Sequence, residues 1–301
     1  MADGLASGRE RAAVERGWED RGWTSRDGLS LHLRDYAGPE GQPPILCLPG
    51  LTRNARDFEA LAASLAGTWR VLCPDMRGRG DSDYARDPMT YTPAHYVEDV
   101  EALLQAEGIT RFIAIGTSLG GLMTMMLAAR DPARIAAAVI NDVGPEIDAA
   151  GLKRIREYVG QGRSYETWVH AARALQEANR DIYPGYELPD WLRLAKRCMV
   201  IGSSGRIVFD YDMNIAEAFG ASDGPAPEPA VMWGMYEAIA RRPLLVLRGA
   251  HSDILSAEVA ARMKVRGAAT ELVTIPGVGH APTLDEPEAI AAIDRLLARA
   301  A

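Results

Sequence analysis

The chain has 301 residues, 48% of them hydrophobic and 25% charged, which is ordinary globular composition and allows one large α/β domain with an inserted segment. Its net charge of -8, without a cluster of lysines and arginines, gives no electrostatic reason to bind nucleic acid or an anionic membrane. We therefore expect a small-molecule partner and a monomer or small homo-oligomer. Charges in Met1–Arg11 interrupt the apolar core of a signal peptide, and no run of about 18 apolar residues occurs, so the expected location is cytoplasmic.

The predicted elements begin with an antiparallel hairpin over Gly22–Tyr36, because Asp27–Gly28 supports the positive φ of a tight turn. Six apolar runs without polar alternation then predict parallel strands covered on both faces: Ile45–Leu48, Trp69–Cys73, Phe112–Ile115, Ala136–Ile140, Leu244–Leu247 and Leu272–Ile275. Helical spacing follows several of these runs, at Phe58–Leu65, Val97–Leu104, Leu119–Ala129, Val259–Met263 and Ile290–Leu297. Strand and helix in alternation predict a doubly wound, mostly parallel α/β sheet.

This alternation breaks between about Pro145 and Arg242, where helical segments and the turn-rich loop Gly220–Pro227 occur. We interpret residues 145–242 as a helical lid inserted into a core domain of residues 1–144 and 243–301. Aromatic residues of a lid usually form its own small core, but some should face the cleft. The candidates for the substrate pocket are Trp168, Trp191, Met232, Trp233, Met235 and Tyr236.

The three cysteines, Cys47, Cys73 and Cys198, are an odd number and lack the Cys-x-x-Cys spacing of a zinc or redox site. Cys47 and Cys73 lie in apolar runs, where a buried thiol acts as a small hydrophobic side chain. We expect three free thiols in a reducing compartment and no metal site.

The candidate nucleophile is Ser118, at the centre of the Gly-x-Ser-x-Gly motif of Gly116–Gly120. A buried strand runs directly into the motif and an apolar helix leaves it, which is the context of a nucleophile on a sharp, strained turn. Glycine two residues to either side relieves the crowding of that turn. The same geometry aims the first amides of the helix, including the N–H of Leu119, at an oxygen that becomes negative during attack.

A serine hydroxyl needs a general base, and a histidine is suited to that role near neutral pH. Among the five histidines, His280 lies in a glycine-containing loop just past the last parallel strand, at the sheet edge where ligands of open α/β sheets bind. His251 is a rival base, but it shares a loop with Asp253. We therefore predict His280 as the base.

An acid must then accept a hydrogen bond from the other ring nitrogen of the histidine. Asp253 follows the strand at Leu244–Leu247 and is the predicted acid, since the order Ser118, Asp253, His280 is that of the fold's usual triad. Asp142 follows the preceding parallel strand and could reach the histidine as well.

These motifs, together with the loops Leu48–Thr52 and Asp75–Ser82, resemble the α/β-hydrolase superfamily, and the likeness covers nearly all of the chain except the lid. The resemblance implies that the first loop supplies a second oxyanion amide at Leu51, although Pro49 replaces the family's histidine. It implies a structural turn for the second loop, with no catalytic role for Arg77. Ser118 differs from the aspartate of haloalkane dehalogenases and epoxide hydrolases, and the motifs are similar to the 3-oxoadipate enol-lactonase and small carboxylesterase branch.

The expected activity is therefore hydrolysis of a carboxylic ester or lactone of a small, partly apolar substrate, through an acyl-enzyme on Ser118 and without metal or organic cofactor. The alternative enzyme uses the same triad to cleave a carbon–carbon bond in a diketone. A third hypothesis is a non-catalytic ligand receptor on the same fold. A receptor would tolerate the loss of a triad residue, whereas Ser, Asp and His are all present in this chain, which disfavours the hypothesis. No Gly-x-Gly-x-x-Gly or phosphate-loop motif follows a strand, which disfavours a dinucleotide-binding enzyme.

Overall fold

The computed structural model describes residues 17–221 and 228–300. Met1–Arg11 and residues 222–227 of the predicted turn-rich loop lie outside these ranges. Within them, no helix combines the length and the apolar composition needed to cross a bilayer.

An eight-stranded sheet forms the centre of the molecule, in the order β1-β2-β4-β3-β5-β6-β10-β11. Its strands are β1 (Glu19–Thr24), β2 (Ser30–Tyr36), β3 (Ile45–Leu48), β4 (Val71–Pro74), β5 (Phe112–Thr117), β6 (Ile135–Asn141), β10 (Leu244–Gly249) and β11 (Thr270–Ile275). β1 and β2 form the predicted hairpin, and β2 pairs antiparallel with β4. The pairs from β4 to β11 are parallel. The predicted fold class is thus confirmed.

Helices cover both faces of this sheet, because the strand residues alternate between two apolar layers. Leu46 and Leu48 of β3 belong to one layer, whereas Ile45 and Cys47 belong to the other. Helices α2 (Pro93–Ala106), α3 (Leu119–Arg130) and α9 (Ala257–Arg266) contribute to the first layer, while α1 (Glu59–Leu65) and α10 (Pro287–Ala300) contribute to the second. The three cysteines are buried and free.

Residues 142–243 add no strand to the main sheet over the part that the structure describes. They include five helices: α4 (Ala149–Tyr158), α5 (Trp168–Asn179), α6 (Leu188–Cys198), α7 (Ile215–Ala221) and α8 (Pro229–Ile239). A three-stranded antiparallel sheet that the sequence pattern did not predict lies among them, formed by β7 (Ser164–Tyr165), β8 (Met199–Ile201) and β9 (Ile207–Phe209). α5 packs against α6, whereas α8 packs against α3 of the core. Gly220 and Ala221, predicted as loop, end α7.

Candidate active site

Ser118 occupies the sharp turn between β5 and α3. Its φ of 53° lies in the left-handed region, which only a firmly held non-glycine residue adopts. Both flanking glycines are required by close packing: a Cβ on Gly116 would lie 2.3 Å from the carbonyl oxygen of Gly120, and a Cβ on Gly120 would lie 2.0 Å from that of Leu48. The predicted strand-turn-helix around the serine is therefore present, with glycines where the crowding demands them.

His280 lies beside Ser118, with its Nε2 2.9 Å from the serine Oγ. Its Nδ1 is 2.8 Å from Oδ2 of Asp142. Asp142 is fully buried, and its other carboxylate oxygen accepts a hydrogen bond from the N–H of Gly249 at 2.8 Å. Each carboxylate oxygen of Asp142 is thus hydrogen-bonded, and Ser118, His280 and Asp142 form a continuous series of hydrogen bonds.

The loop that carries His280 is fixed to the sheet and to the inserted segment. The side-chain amide of Asn141, at the end of β6, donates to the carbonyl of Pro282 at 2.8 Å. The hydroxyl of Tyr183 donates to the carbonyl of Ala281 at 2.8 Å. These bonds hold the backbone on the C-terminal side of the histidine and so limit the movement of its ring.

The structure corrects the choice of Asp253 as the acid. Its carboxylate accepts two hydrogen bonds from Arg154 of α4, at 2.6 and 2.9 Å, and makes none with His280. Burial acts to raise the pKa of Asp253, but the hydrogen bond and charge of Arg154, together with the charge of His280, lower it below the ordinary value. Asp253 is therefore a charged partner of Arg154 in α4, and Asp142 is the carboxylate beside the imidazole of His280.

The two amides predicted to hold an oxyanion both border Ser118. Leu119 is the first residue of α3, where an N–H has no partner within the helix. Leu51 follows Gly50, and a Cβ on Gly50 would lie 3.8 Å from the Cβ of Ser118. Both amides therefore belong to segments that border Ser118, as the prediction of an oxyanion site requires.

Arg79 fixes the loop that contains Leu51 through hydrogen bonds to its backbone. This fully buried side chain donates to the carbonyl of Leu51 from Nε at 2.8 Å and from Nη2 at 2.6 Å. Its guanidinium also stacks on the ring of Tyr96, with 4.6 Å from Cζ to the ring centroid. A side chain from the loop after β4 thus fixes the turn in which Pro49 stands for the family's histidine.

A cavity of about 380 Å³ contains Ser118 and His280, which is the size of a small-molecule site. Its walls come from the Gly50 loop, from α4, α5 and α6, and from the histidine loop. Among the lining side chains, the larger apolar and aromatic ones are Leu51, Phe58, Ile155, Tyr158, Tyr165, Leu175, Tyr183, Leu194, Phe209, Pro282 and Leu284.

The six predicted pocket residues do not line this cavity, so that prediction is corrected. Trp191 is fully buried and meets the rings of Tyr183 and Tyr186 edge-on. Trp233 lies beneath Arg266 and donates to Glu146, while the hydroxyl of Tyr236 donates to the carbonyl of Met263. Met232, Met235 and Trp168 are partly buried against the apolar layers of the core. Four of the six residues lie on α8, which covers α3 rather than the cleft. Trp168 of α5 and Trp191 of α6 instead pack into the second apolar layer.

The model of the alpha/beta hydrolase family matches residues 45–293 of the chain, a span that includes Ser118, Asp142 and His280. The chain belongs to the α/β-hydrolase family. Its parallel sheet, its strained serine and the histidine beside that serine are those of an α/β-hydrolase enzyme.

Several known α/β-hydrolases are similar over most of their length. The chain is 35% identical over 267 residues to a 3-hydroxybutyrate-oligomer hydrolase of Cupriavidus necator, covering 87% of this chain and 90% of that protein. It is 24% identical over 261 residues to a 2-(acetamidomethylene)succinate hydrolase of Mesorhizobium japonicum, covering 86% and 88%. A crystal structure of an α/β hydrolase from Novosphingobium aromaticivorans has 68% identity and a TM-score of 0.91, covering 94% of this chain and 99% of that one.

Proposed function

We propose that this α/β-hydrolase cleaves a carboxylic ester of a small, partly apolar substrate through an acyl-enzyme on Ser118. The observation that carries the proposal is the unbroken series of hydrogen bonds from the serine Oγ through His280 to buried Asp142, on the wall of a cavity that admits a small molecule. An alcohol needs this environment to become a nucleophile, because its proton must leave as it attacks.

In the proposed mechanism, the Oγ of Ser118 attacks the ester carbonyl while Nε2 of His280 takes its proton. The imidazolium is stabilised by Asp142, which keeps Nδ1 protonated and facing the carboxylate. His280 then returns the proton to the departing alcohol oxygen, leaving the acyl group on Ser118. Water attacks this acyl group with His280 again as base, and the carboxylic acid departs.

The negative oxygen of each tetrahedral intermediate would rest on the amides of Leu51 and Leu119. Such donors act mainly on the charge that develops in the transition state, and the loss of one typically costs about 10²–10³ in turnover. Arg79 contributes to this step without touching the substrate, because it fixes the carbonyl of Leu51 and hence the peptide groups of that loop.

The similar 3-hydroxybutyrate-oligomer hydrolase supports short hydroxyalkanoate esters as the first substrates to test. A linear dimer of 3-hydroxybutyrate has an ester bond, short apolar branches and polar ends, which suits a cavity with both aromatic and arginine side chains. A lactone presents the same carbonyl to Ser118, and its alcohol stays attached to the acyl group until hydrolysis.

The experiment compares hydrolysis of p-nitrophenyl butyrate and of the 3-hydroxybutyrate dimer by the wild type and by Ser118→Ala. Wild-type turnover with a loss of about 10⁵-fold or more in the variant is expected, because one missing triad member removes most of the catalysis. Ser204→Ala, at an exposed loop position, is the matched control and should keep wild-type rates. Equal activity of the Ser118 variant would reject the acyl-enzyme.

A vinylogous diketone in the same assay separates ester hydrolysis from carbon–carbon bond hydrolysis, which the same three side chains can perform. Turnover of the diketone without turnover of either ester would favour that alternative. Turnover of the esters alone supports the proposal.

A further inference from the structure

Four arginines and two carboxylates line the cavity, although the chain as a whole carries a net charge of -8. The arginines are Arg53, Arg154, Arg163 and Arg197, and the carboxylates are Asp57 and Glu157. An excess of cations in the wall of a cavity attracts anionic ligands, because the low-dielectric surroundings strengthen the interaction.

Two of the arginines are engaged by carboxylates outside the cavity wall. Arg154 makes the paired hydrogen bonds with Asp253, and Arg197 forms an ion pair with Asp285 at 2.5 Å. Arg163 has no carboxylate partner among the described residues and donates to the side-chain oxygen of Gln161, but it is exposed at the rim. The guanidinium groups of Arg154 and Arg197 are therefore paired with carboxylates outside the wall, and Arg163 is exposed.

Arg53 lies in the loop that begins at Gly50, next to Ser118, and its carboxylate partner, Asp57, also lines the cavity. The position that a Cβ on Gly50 would take lies 3.4 Å from the Cγ of Arg53 and 3.8 Å from the Cβ of Ser118, so both side chains border Gly50. The side chain of Arg53 is 24% exposed. Arg53 therefore starts beside the loop that borders Ser118, lines the cavity and is mostly out of solvent.

The hydrogen bonds of Arg53 leave part of its guanidinium open. Nε and Nη2 donate to the two oxygens of Asp57, and the thiol of Cys198 also interacts with the side chain of Arg53. Nη1 has no oxygen acceptor among the residues that the structure describes. Burial opposes the charge, but the carboxylate of Asp57 more than offsets that effect and raises the pKa of Arg53 above its ordinary value. The side chain is thus a fixed cation whose Nη1 has no oxygen acceptor among the described residues, and Asp57 holds its orientation.

We propose that Arg53 binds a carboxylate of the substrate through Nη1, and that the preferred substrates are esters with a negative charge close to the ester bond. This inference rests on the proposed ester hydrolysis for its substrate class. A linear hydroxyalkanoate oligomer with a free end carries such a carboxylate, whereas a capped oligomer or a triglyceride does not. The contact would select the substrate and place its ester at Ser118.

The test uses two ligands of equal size: the 3-hydroxybutyrate dimer and the same dimer with its carboxyl group converted to a primary amide. The wild type should have a kcat/KM at least about tenfold higher for the carboxylate, because a hydrogen bond between two charged groups is stronger than one to a neutral amide. Arg53→Gln should remove this preference by slowing the carboxylate while changing the amide less than about threefold. Arg53→Lys, which keeps the charge, should retain part of it.

Arg26→Gln is the matched control, since it removes an exposed cation outside the cavity and should keep the wild-type preference. A wild type that hydrolyses the two dimers equally would overturn the inference. So would an Arg53→Gln variant that slows both by the same factor, which would indicate a purely structural side chain.

Binding to the inactive Ser118→Ala protein, measured by calorimetry, separates this inference from the proposed function. Tighter binding of the carboxylate in the absence of any wild-type turnover would keep the anion site and reject ester hydrolysis. Equal binding of the two dimers, with turnover of both by the wild type, would reject the anion site and keep ester hydrolysis.

Discussion

Replacing Asp142 with Asn tests which carboxylate serves His280. Oδ1 of Asp142 accepts from the N–H of Gly249 and Oδ2 faces Nδ1 of His280, both at 2.8 Å. The amide oxygen of an Asn would keep the bond to Gly249, so its NH₂ group would face the imidazole. That group can only donate, which forces the proton onto Nε2 and turns it toward Ser118, where a base must have a lone pair.

The expected loss in kcat is about 10⁴-fold, as the wrong tautomer causes in other Ser-His-Asp enzymes, which corresponds to about 5.5 kcal/mol of activation free energy. Asp253→Asn is the matched control: it breaks the partly exposed pair with Arg154 and should change kcat less than about fivefold. Steady-state kinetics with p-nitrophenyl butyrate measures both. Equal losses in the two variants, or more than a tenth of wild-type kcat in Asp142→Asn, would refute the reasoning.

Three further predictions concern the frame of the site. Arg79→Met should lower kcat about tenfold or more with a smaller change in KM, because two hydrogen bonds to the oxyanion loop disappear; an unchanged kcat would contradict this. Gly120→Ala should lower the melting temperature and reduce the free energy of unfolding by about 3 kcal/mol, because its Cβ would lie 2.0 Å from a backbone oxygen. Gly234→Ala is the control and should leave the melting temperature unchanged, because no atom lies within 4 Å of its Cβ position. Hydrogen bonds from Arg77 lower the pKa of Asp27 to about 2. Because solvent screens this partly exposed pair, Asp27→Asn should reduce the free energy of unfolding at pH 7 by about 1 kcal/mol or less. The stabilisation is present above the unfolded pKa of 3.8, so the difference in unfolding free energy between wild type and Asp27→Asn should vanish as the pH falls from about 4 to about 2. Urea unfolding that shows the same difference at every pH would contradict this prediction.

The sequence predicts the parallel strands well because each is covered on both faces and therefore reads as a short apolar run. β3 is predicted at its observed bounds, and β5 and β6 extend by one or two residues beyond the predicted ends. The positions of Ser118 and His280 follow for a related reason, since each comes at the carboxyl end of such a run.

The choice between Asp142 and Asp253 lay beyond the sequence. β6 and β10 are neighbours in the sheet, so both aspartates leave it at the same edge. The deciding features are the positive φ of 58° at Asp142 and the presence of Arg154 beside Asp253, and both depend on tertiary structure. In the sequence, both aspartates simply follow a predicted parallel strand, so this pattern does not separate them.

The cavity wall was missed because its residues come from segments far apart in the chain. Arg53, Arg154, Arg163 and Arg197 look like surface arginines in sequence, and only the packing of the inserted helices brings them together. The aromatic residues of α8 were wrongly predicted to line the pocket, because the same apolar pattern suits a helix that covers a cleft and a helix that covers another helix. In the structure, α8 covers α3.

The most direct test of the central claim is to treat the folded protein with a fluorophosphonate probe and to map the adduct by mass spectrometry. The phosphorus of the probe traps only a serine whose hydroxyl is activated by a base and whose oxyanion is stabilised. A single adduct on Ser118, absent from Ser118→Ala and strongly reduced in Asp142→Asn, is the predicted result. An adduct on any other serine, or undiminished labelling of Ser118→Ala, would contradict the assignment of Ser118 as the nucleophile.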